Sequence, residues 1–356
     1  MMNKTRFLRG LYIHVPFCKK KCLYCDFYSL PFSEQTVQAY VRAVKRNLKR
    51  YDEPFDTVYF GGGTPILLAE YLGEILSCVN IADGAEITAE ANPCEMLPNT
   101  LETMLRAGIN RVSVGVQSFS DKELIALGRR HDAYTAEQAL KTARAAGFRN
   151  ISADLMLGIP FQTGDSLMYT LDRLCKLDVD HVSAYMLKIE ENTPFGRSVP
   201  LLPDEDETAE LYIQTVQTLA AAGLEQYEIS NFAKKGKESR HNLKYWRREE
   251  YVGIGPAAHS FYDGKRFAVP RDIERFIYEE VQPVEYTDDA PDEYEERVML
   301  GLRLAEGIPK ELYKDFEHRL RLVPDNYYMI KDGRLSLTAE GFLLSNEIIA
   351  LLLAER

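Results

Sequence analysis

The sequence lacks several features, and each lack excludes a class of protein. No run of ~18 apolar residues occurs in its 356 positions, so no transmembrane helix is expected. The basic N-terminal stretch MMNKTRFLRG is followed by no apolar segment with a cleavage site, so no signal peptide is expected and a cytoplasmic location follows. Positive charge is short: 43 Lys and Arg stand against 54 Asp and Glu, a net charge of −11. That balance excludes broad nucleic-acid binding, which needs clustered cations to meet phosphates. Cysteine is sparse, with six in all, and reduced thiols fit a cytoplasmic setting.

Three of the six cysteines crowd into one run, YIHVPFCKKKCLYCDF, as Cys18, Cys22 and Cys25. Thiolates converging from one short loop in a C-x3-C-x2-C spacing make a metal site. Zinc usually asks for four N/S ligands in two spaced pairs, and no second pair occurs here. Iron–sulfur clusters are usually held by four thiolates, so a set of three leaves one iron of a four-iron cluster open to a small molecule. Cys78 and Cys175 fall in apolar helical stretches and read as small buried hydrophobes. Cys94 reads either as a free thiol near the site or as a fourth ligand that would close the cluster. Lys19–Lys21, inside the cysteine loop, reads as a solvated loop or as an attractor for an anionic electron donor or substrate.

Strand-like runs alternate with amphipathic helical stretches. Candidate strands are Leu11–Val15, Thr57–Phe60, Glu86–Ala89, Arg111–Val116, Asn150–Met156 and His181–Leu187, with a seventh at Leu224–Ile229 reached through a helix over Glu205–Ala222. This alternation implies βαβ units and a parallel sheet. Parallel α/β folds gather ligand sites at the C-terminal ends of their strands. The unusual segments share that phase. The cysteine loop follows the first strand, Gly61-Gly62-Gly63-Thr64-Pro65 the second and Glu90-Ala91-Asn92-Pro93 the third; Gln117 follows the fourth, and Asp154 lies within the fifth. Composition shifts after about Ser230, where NFAKKGKESRHNLKYWRREEYVGIGPAAHSF is basic, Gly-rich and aromatic. Beyond Val284 come helices over Asp292–Glu306 and near Lys310–His318, a hairpin turning at Asp332-Gly333, and a last helix over Ala339–Leu353. Helices, a hairpin and a helix make a winged-helix-like unit. Its nine Lys and Arg against sixteen Asp and Glu over residues 284–356 speak against DNA binding.

The cysteine run after a short strand, followed by the GGGTP loop, resembles the radical S-adenosylmethionine (SAM) superfamily. That resemblance implies an α/β fold: a partial (β/α)6-type TIM barrel over residues 1–232, a linker with an HNxxYW segment over 233–283, and a C-terminal α+β winged-helix-like domain over 284–356. It also implies a [4Fe–4S] cluster on Cys18, Cys22 and Cys25 whose open iron takes SAM. By matched position, Tyr12, Tyr24, Gly62, Gly63, Thr64, Glu90, Gln117, Arg129 and Asp154 are the expected SAM contacts. Carboxylates suit the ribose diol and amine, and an arginine suits the SAM carboxylate. Two related families share the YIHVPFC opening: the oxygen-independent coproporphyrinogen III oxidases and the HemW-type haem chaperones. The oxidases carry a further cysteine two positions after the third, where this chain has Phe27, and a longer N-terminal extension, where this chain has eleven residues before Tyr12. Together with HNLKYW at His241–Trp246, these features resemble the haem chaperones. The implied partners are haem, haem-accepting proteins and an electron donor such as a flavodoxin or ferredoxin. Membrane contact is expected only through a partner. His241 is the candidate haem ligand, beside Tyr245 and Trp246, or else a hydrogen-bonded structural corner; His259 and His14 are weaker candidates.

Overall fold

The computed structural model describes residues 8–354. Residues 1–7 of the basic stretch MMNKTRFLRG, on which the signal-peptide reading rests, lie outside them. Six strands run parallel and adjacent: β1 (Arg9–Val15), then, past a short clip of β2 (Phe17–Cys18) on β3 (Leu30–Pro31), β4 (Phe55–Gly62), β5 (Ile81–Ala91), β6 (Arg111–Gln117), β7 (Ile151–Leu157) and β8 (His181–Met186). The expected α/β partial barrel is present.

Strict two-residue alternation builds this barrel. On β1, Leu11, Ile13 and Val15 are fully buried against the helices. The same outward set continues through Val58 and Phe60, Ile87 and Ala89, Val112, Val114 and Val116, Ala153 and Leu155, and Val182. The alternate positions face inward and are polar. Register aligns Tyr12 with Tyr59, Tyr59 with Thr88, and Thr88 with Arg111; one step higher it aligns Glu90 with Ser113 and Ser113 with Ser152. Closed barrels of this type fill their interior with branched apolar residues. A polar interior marks a binding site instead.

Two expectations need correction. The strand near Leu224–Ile229 exists as β9 (Glu225–Glu228), but β10 (Asn231–Ala233) inserts between it and β8, antiparallel to both. The seventh parallel strand lies at the other side: β11 (Tyr251–Ile254) pairs with β1. Residues 233–283 are therefore not a linker. They continue the sheet through β11, β12 (His259–Tyr262) and β13 (Lys265–Ala268), and β14 (Glu285–Asp288) follows at the edge, making a 12-stranded sheet with open ends. The HNLKYW segment is a short helix, Arg240–Trp246, capped by the Ser239 hydroxyl.

The C-terminal unit has a small sheet of β15 (Ile308–Pro309), β16 (Tyr328–Lys331) and β17 (Arg334–Leu337). Asp332 and Gly333 both have positive φ, as the tight turn requires. Helix Glu293–Gly301 is shorter than expected, and the final helix breaks at Leu344 into Ala339–Leu343 and Ser345–Leu353. The unit is tied to the barrel through backbone bonds from Ile229 to Arg303 and from Ala305 to Tyr227. Among the described residues no helix is long and apolar enough to cross a membrane.

Candidate functional site

The C-terminal ends of β1, β4, β5 and β6 bring together the cysteine loop, the glycine run, Glu90 with Asn92, and Gln117. Cys18, Cys22 and Cys25 leave β1 on a half-buried loop, all as free thiols. Burial pushes the Cys18 thiol up and the Cys25 thiol up to about 11, so thiolate formation there requires a cation, which a metal centre supplies. Among the described residues no three Cys, His or carboxylate groups are gathered tightly enough for a single metal ion.

The glycine run is dictated by sterics. A Cβ on Gly63 would lie 2.6 Å from the Phe17 carbonyl oxygen, and one on Gly62 would lie 2.6 Å from the His14 ring. The Gly63 N–H donates to the Val15 carbonyl at 2.8 Å, pinning the loop to the end of β1. Thr64 is buried; its hydroxyl lies 3.3 Å from Cys18 Sγ and accepts a bond from Asn92 Nδ2 at 2.9 Å. The glycine loop and the cysteine loop are thus one packed unit.

Arg129 points inward, and Arg130 is exposed. Arg129 donates to Asn92 Oδ1 at 2.8 Å, to the Gly115 carbonyl at 2.6 Å, and to Cys22 Sγ and the Tyr24 hydroxyl at 3.4 Å each. Arg130 pairs with Glu95 at 2.6 Å. Gly115 is small because of this: a Cβ there would come within 3.0 Å of the Arg129 guanidinium and the Gln117 amide. Gln117 is buried at φ +68°, a left-handed conformation costly for a residue with a side chain.

The two carboxylates lie within the barrel. Glu90 accepts from the Tyr59 hydroxyl at 3.0 Å and from the Gly62 N–H at 3.1 Å. Burial, reinforced by nearby Asp154, pushes its carboxyl up to about 7. Asp154 accepts from Ser113 at 2.9 Å and is likewise raised by burial. Tyr12 stands at the middle of β1. It stacks on Tyr59 with centroids 6.2 Å apart, and its hydroxyl lies 3.0 Å from His14 Nδ1. Cys94 lines the recess beside Cys22, Thr64, Asn92 and Arg129 as a free thiol. Cys78 and Cys175 are half-buried, more open than apolar packing alone implies, with Cys78 Sγ directed at the Glu74 carbonyl.

His241 departs from the haem-ligand expectation. It is buried below the barrel floor, with Nδ1 2.8 Å from the Thr57 hydroxyl and Nε2 2.7 Å from the Tyr245 hydroxyl. Burial first, then the charge of Lys244, lowers it to about 3. Both ring nitrogens are occupied, so neither is free for an iron, and the structural-corner reading holds. His14 is likewise engaged by Tyr12 and the Tyr28 carbonyl. His259 is exposed at the start of β12.

Asn92, Tyr59, Ser113 and Arg111 belong to this interior and were not singled out from sequence. A signal for Asn92 exists: it lies two residues after Glu90, hence on the same strand face.

Comparison with known proteins agrees with this geometry. The radical SAM superfamily model matches residues 12–174, and the HemN C-terminal domain model matches residues 288–344. The solved structure of coproporphyrinogen III oxidase (HemN) from Escherichia coli, a radical SAM enzyme, superposes with a TM-score of 0.80 over 97% of this chain and 90% of its own, at 20% identity. Heme chaperone HemW of Bacillus subtilis is 34% identical across 98% of this chain and 100% of its own length. Heme chaperone HemW of Escherichia coli is 36% identical across 97% of this chain and 98% of its own. With such identity sustained over the full length of both partners, this chain belongs to the HemW family of the radical SAM superfamily.

Proposed function

We propose that the chain is a haem chaperone: it binds haem and delivers it to haem-requiring respiratory proteins, with a cluster and SAM supporting the transfer. Membership of the radical SAM superfamily implies a [4Fe–4S] cluster and SAM. Cys18, Cys22 and Cys25 would hold the cluster. Arg129, donating to Cys22 Sγ, would offset its negative charge. Gly62, Gly63 and Thr64 offer a backbone edge to the SAM amino group, while Glu90 and Asp154 offer carboxylates to the amine and ribose. Tyr12 and Gln117 border them, and Tyr24 would cover the adenine. When bound, the cluster and SAM supply one-electron chemistry; the chain itself orients SAM and keeps the site dry. Lys20 and Lys21, exposed on the cysteine loop, would meet an anionic electron donor of flavodoxin or ferredoxin type in the cytoplasm.

The observation that carries the chaperone reading is sustained identity to relatives named as haem chaperones. The likeness to the oxidase, at 20% identity, speaks to the fold alone. Phe27, at the position of the oxidases' extra cysteine, is 65% exposed. The test is to reconstitute the protein anaerobically, supply coproporphyrinogen III, SAM and a reductant, and analyse for protoporphyrinogen IX. No product is expected, and robust turnover would overturn the reading. Haem titration should develop a Soret band in wild type that persists in His241→Ala; absence of a band in wild type would equally refute it. Because His259, unlike His14 and His241, is exposed, His259→Ala belongs in the same series.

A further inference from the structure

Arg111 is the largest fully buried side chain among the described residues, 1% exposed, at the first position of β6. No carboxylate among the described residues pairs with it, and its Nε has no hydrogen-bond partner. Its in-register neighbour on β5, Thr88, also has an unpartnered buried hydroxyl. A buried cation without a partner is costly, so its retention calls for a compensating interaction.

The strand register supplies the compensation. Arg111 stands on β6 between the strand carrying Glu90 and the strand carrying Asp154. Its charge is felt by groups on six different elements: Tyr59 of β4, Glu90 of β5, Asp154 of β7, His181 of β8, Tyr227 of β9 and His241 of the short helix beneath. His181 is neutral and tied to Ser152 and Tyr227 at 2.7 and 2.8 Å, and His241 is engaged as described above, so neither supplies an opposing charge. Above Arg111, the two carboxylates are also faced by Tyr12, Tyr185 and Arg129. Arg129 is committed to Asn92, Gly115 and Cys22.

We propose that Arg111 is a positioning residue for the SAM site. Its unpaired guanidinium at the barrel floor supplies the counter-charge that lets Glu90 and Asp154 stand close together as carboxylates, each with acceptor capacity left for SAM. The stand-off matters. A contact ion pair would occupy those oxygens and compete with the ligand, whereas a charge one layer below stabilises both through the low-dielectric interior and blocks neither. The inference rests on the proposal that SAM binds at Glu90 and Asp154.

The test is SAM affinity, measured anaerobically by calorimetry on cluster-loaded protein from about pH 6 to about pH 9, for wild type, Arg111→Met and Arg111→Lys. Removing the cation disfavours the carboxylates, so the acid limb of binding moves to higher pH. Arg111→Met should bind SAM about tenfold more weakly near pH 7, approach wild type near pH 9, and be largely rescued by Arg111→Lys. A loss of the same size at every pH, or no loss, overturns the proposal. If wild type binds no SAM at any pH, the reading of the site fails and this inference falls with it. If wild type binds and the profiles coincide, only the inference fails. Should Arg111→Met not fold, adding Asp154→Asn should restore soluble protein by removing one of the two unbalanced carboxylates; continued failure to fold would also count against it.

Discussion

The mouth and the floor of the barrel are built from the same residue types and do opposite things. Each holds a histidine, tyrosines, a hydroxyl residue and a glutamate close together. At the floor, the corner around the short helix is fully mated, His241 with Thr57 and Tyr245 and Glu86 with the backbone N–H groups of Arg240 and His241, while Arg111 and Thr88 beside it are the exceptions. At the mouth the bonds are incomplete by design. The three thiols form no disulfide and have only weak polar contacts, the Gly61–Gly63 loop carries no side chain, and Glu90 uses one bond per oxygen within the protein. Completeness of partners, more than residue identity, separates a corner that fixes the fold from a corner that takes a ligand.

The largest expected effect breaks the mouth. Cys22→Ala should remove the cluster, dropping iron and acid-labile sulfide in anaerobically reconstituted protein to background and abolishing SAM binding, while circular dichroism stays native. Cluster retention at wild-type levels would contradict the ligand assignment. Breaking the floor should be nearly the mirror image. His241→Ala leaves two buried hydroxyls unpaired and a cavity, so stability should fall by about 3 kcal/mol in a denaturant titration, with the cluster spectrum unchanged. A variant as stable as wild type would show the corner to be dispensable.

Acidification probes both regions together. His14 and His131 are lowered to about 4 and His241 to about 3 by burial, so each is neutral in the fold and binds a proton sooner when unfolded. Their contribution is present above the unfolded value of about 6.5 and is lost as pH falls toward 4. Glu90 and Glu228, both raised to about 7, act in the opposite direction and offset part of it. Thermal unfolding of the metal-free protein should therefore shift to lower temperature between about pH 6.5 and about pH 4. A flat profile would mean that these imidazoles are more solvated than the structure has them. The smallest effect sharpens the comparison within the mouth: Arg130→Ala, losing an outward pair with Glu95, should cost under about 1 kcal/mol and leave SAM affinity within about twofold.

Much of this was legible in the chain. The six parallel strands follow from alternation, and the common phase of the cysteine, GGGT and EANP segments located the mouth before any coordinates. Gly62 and Gly63 are held to glycine by His14 and by the Phe17 backbone, so the motif records packing. What escaped notice has physical causes too. Arg111 begins a strand, where a lone polar residue reads as a solvated end; only the closure of neighbouring strands over it makes it buried. Strand β11 pairs with β1 across more than two hundred residues of sequence, a non-local pairing that no short-range pattern records. His241 looked like a ligand because one of its two partners, Thr57, is remote in sequence.

The two margins of the great sheet, β14 on one side and β9 on the other, do not bond to each other. A closed cylinder has its girth fixed by strand number and stagger. This one does not: either margin can be lengthened, trimmed or splayed while the strands bearing the cysteine loop and the two carboxylates stay in register. The scaffold can thus be refitted to guests of different breadth without rebuilding its chemical centre.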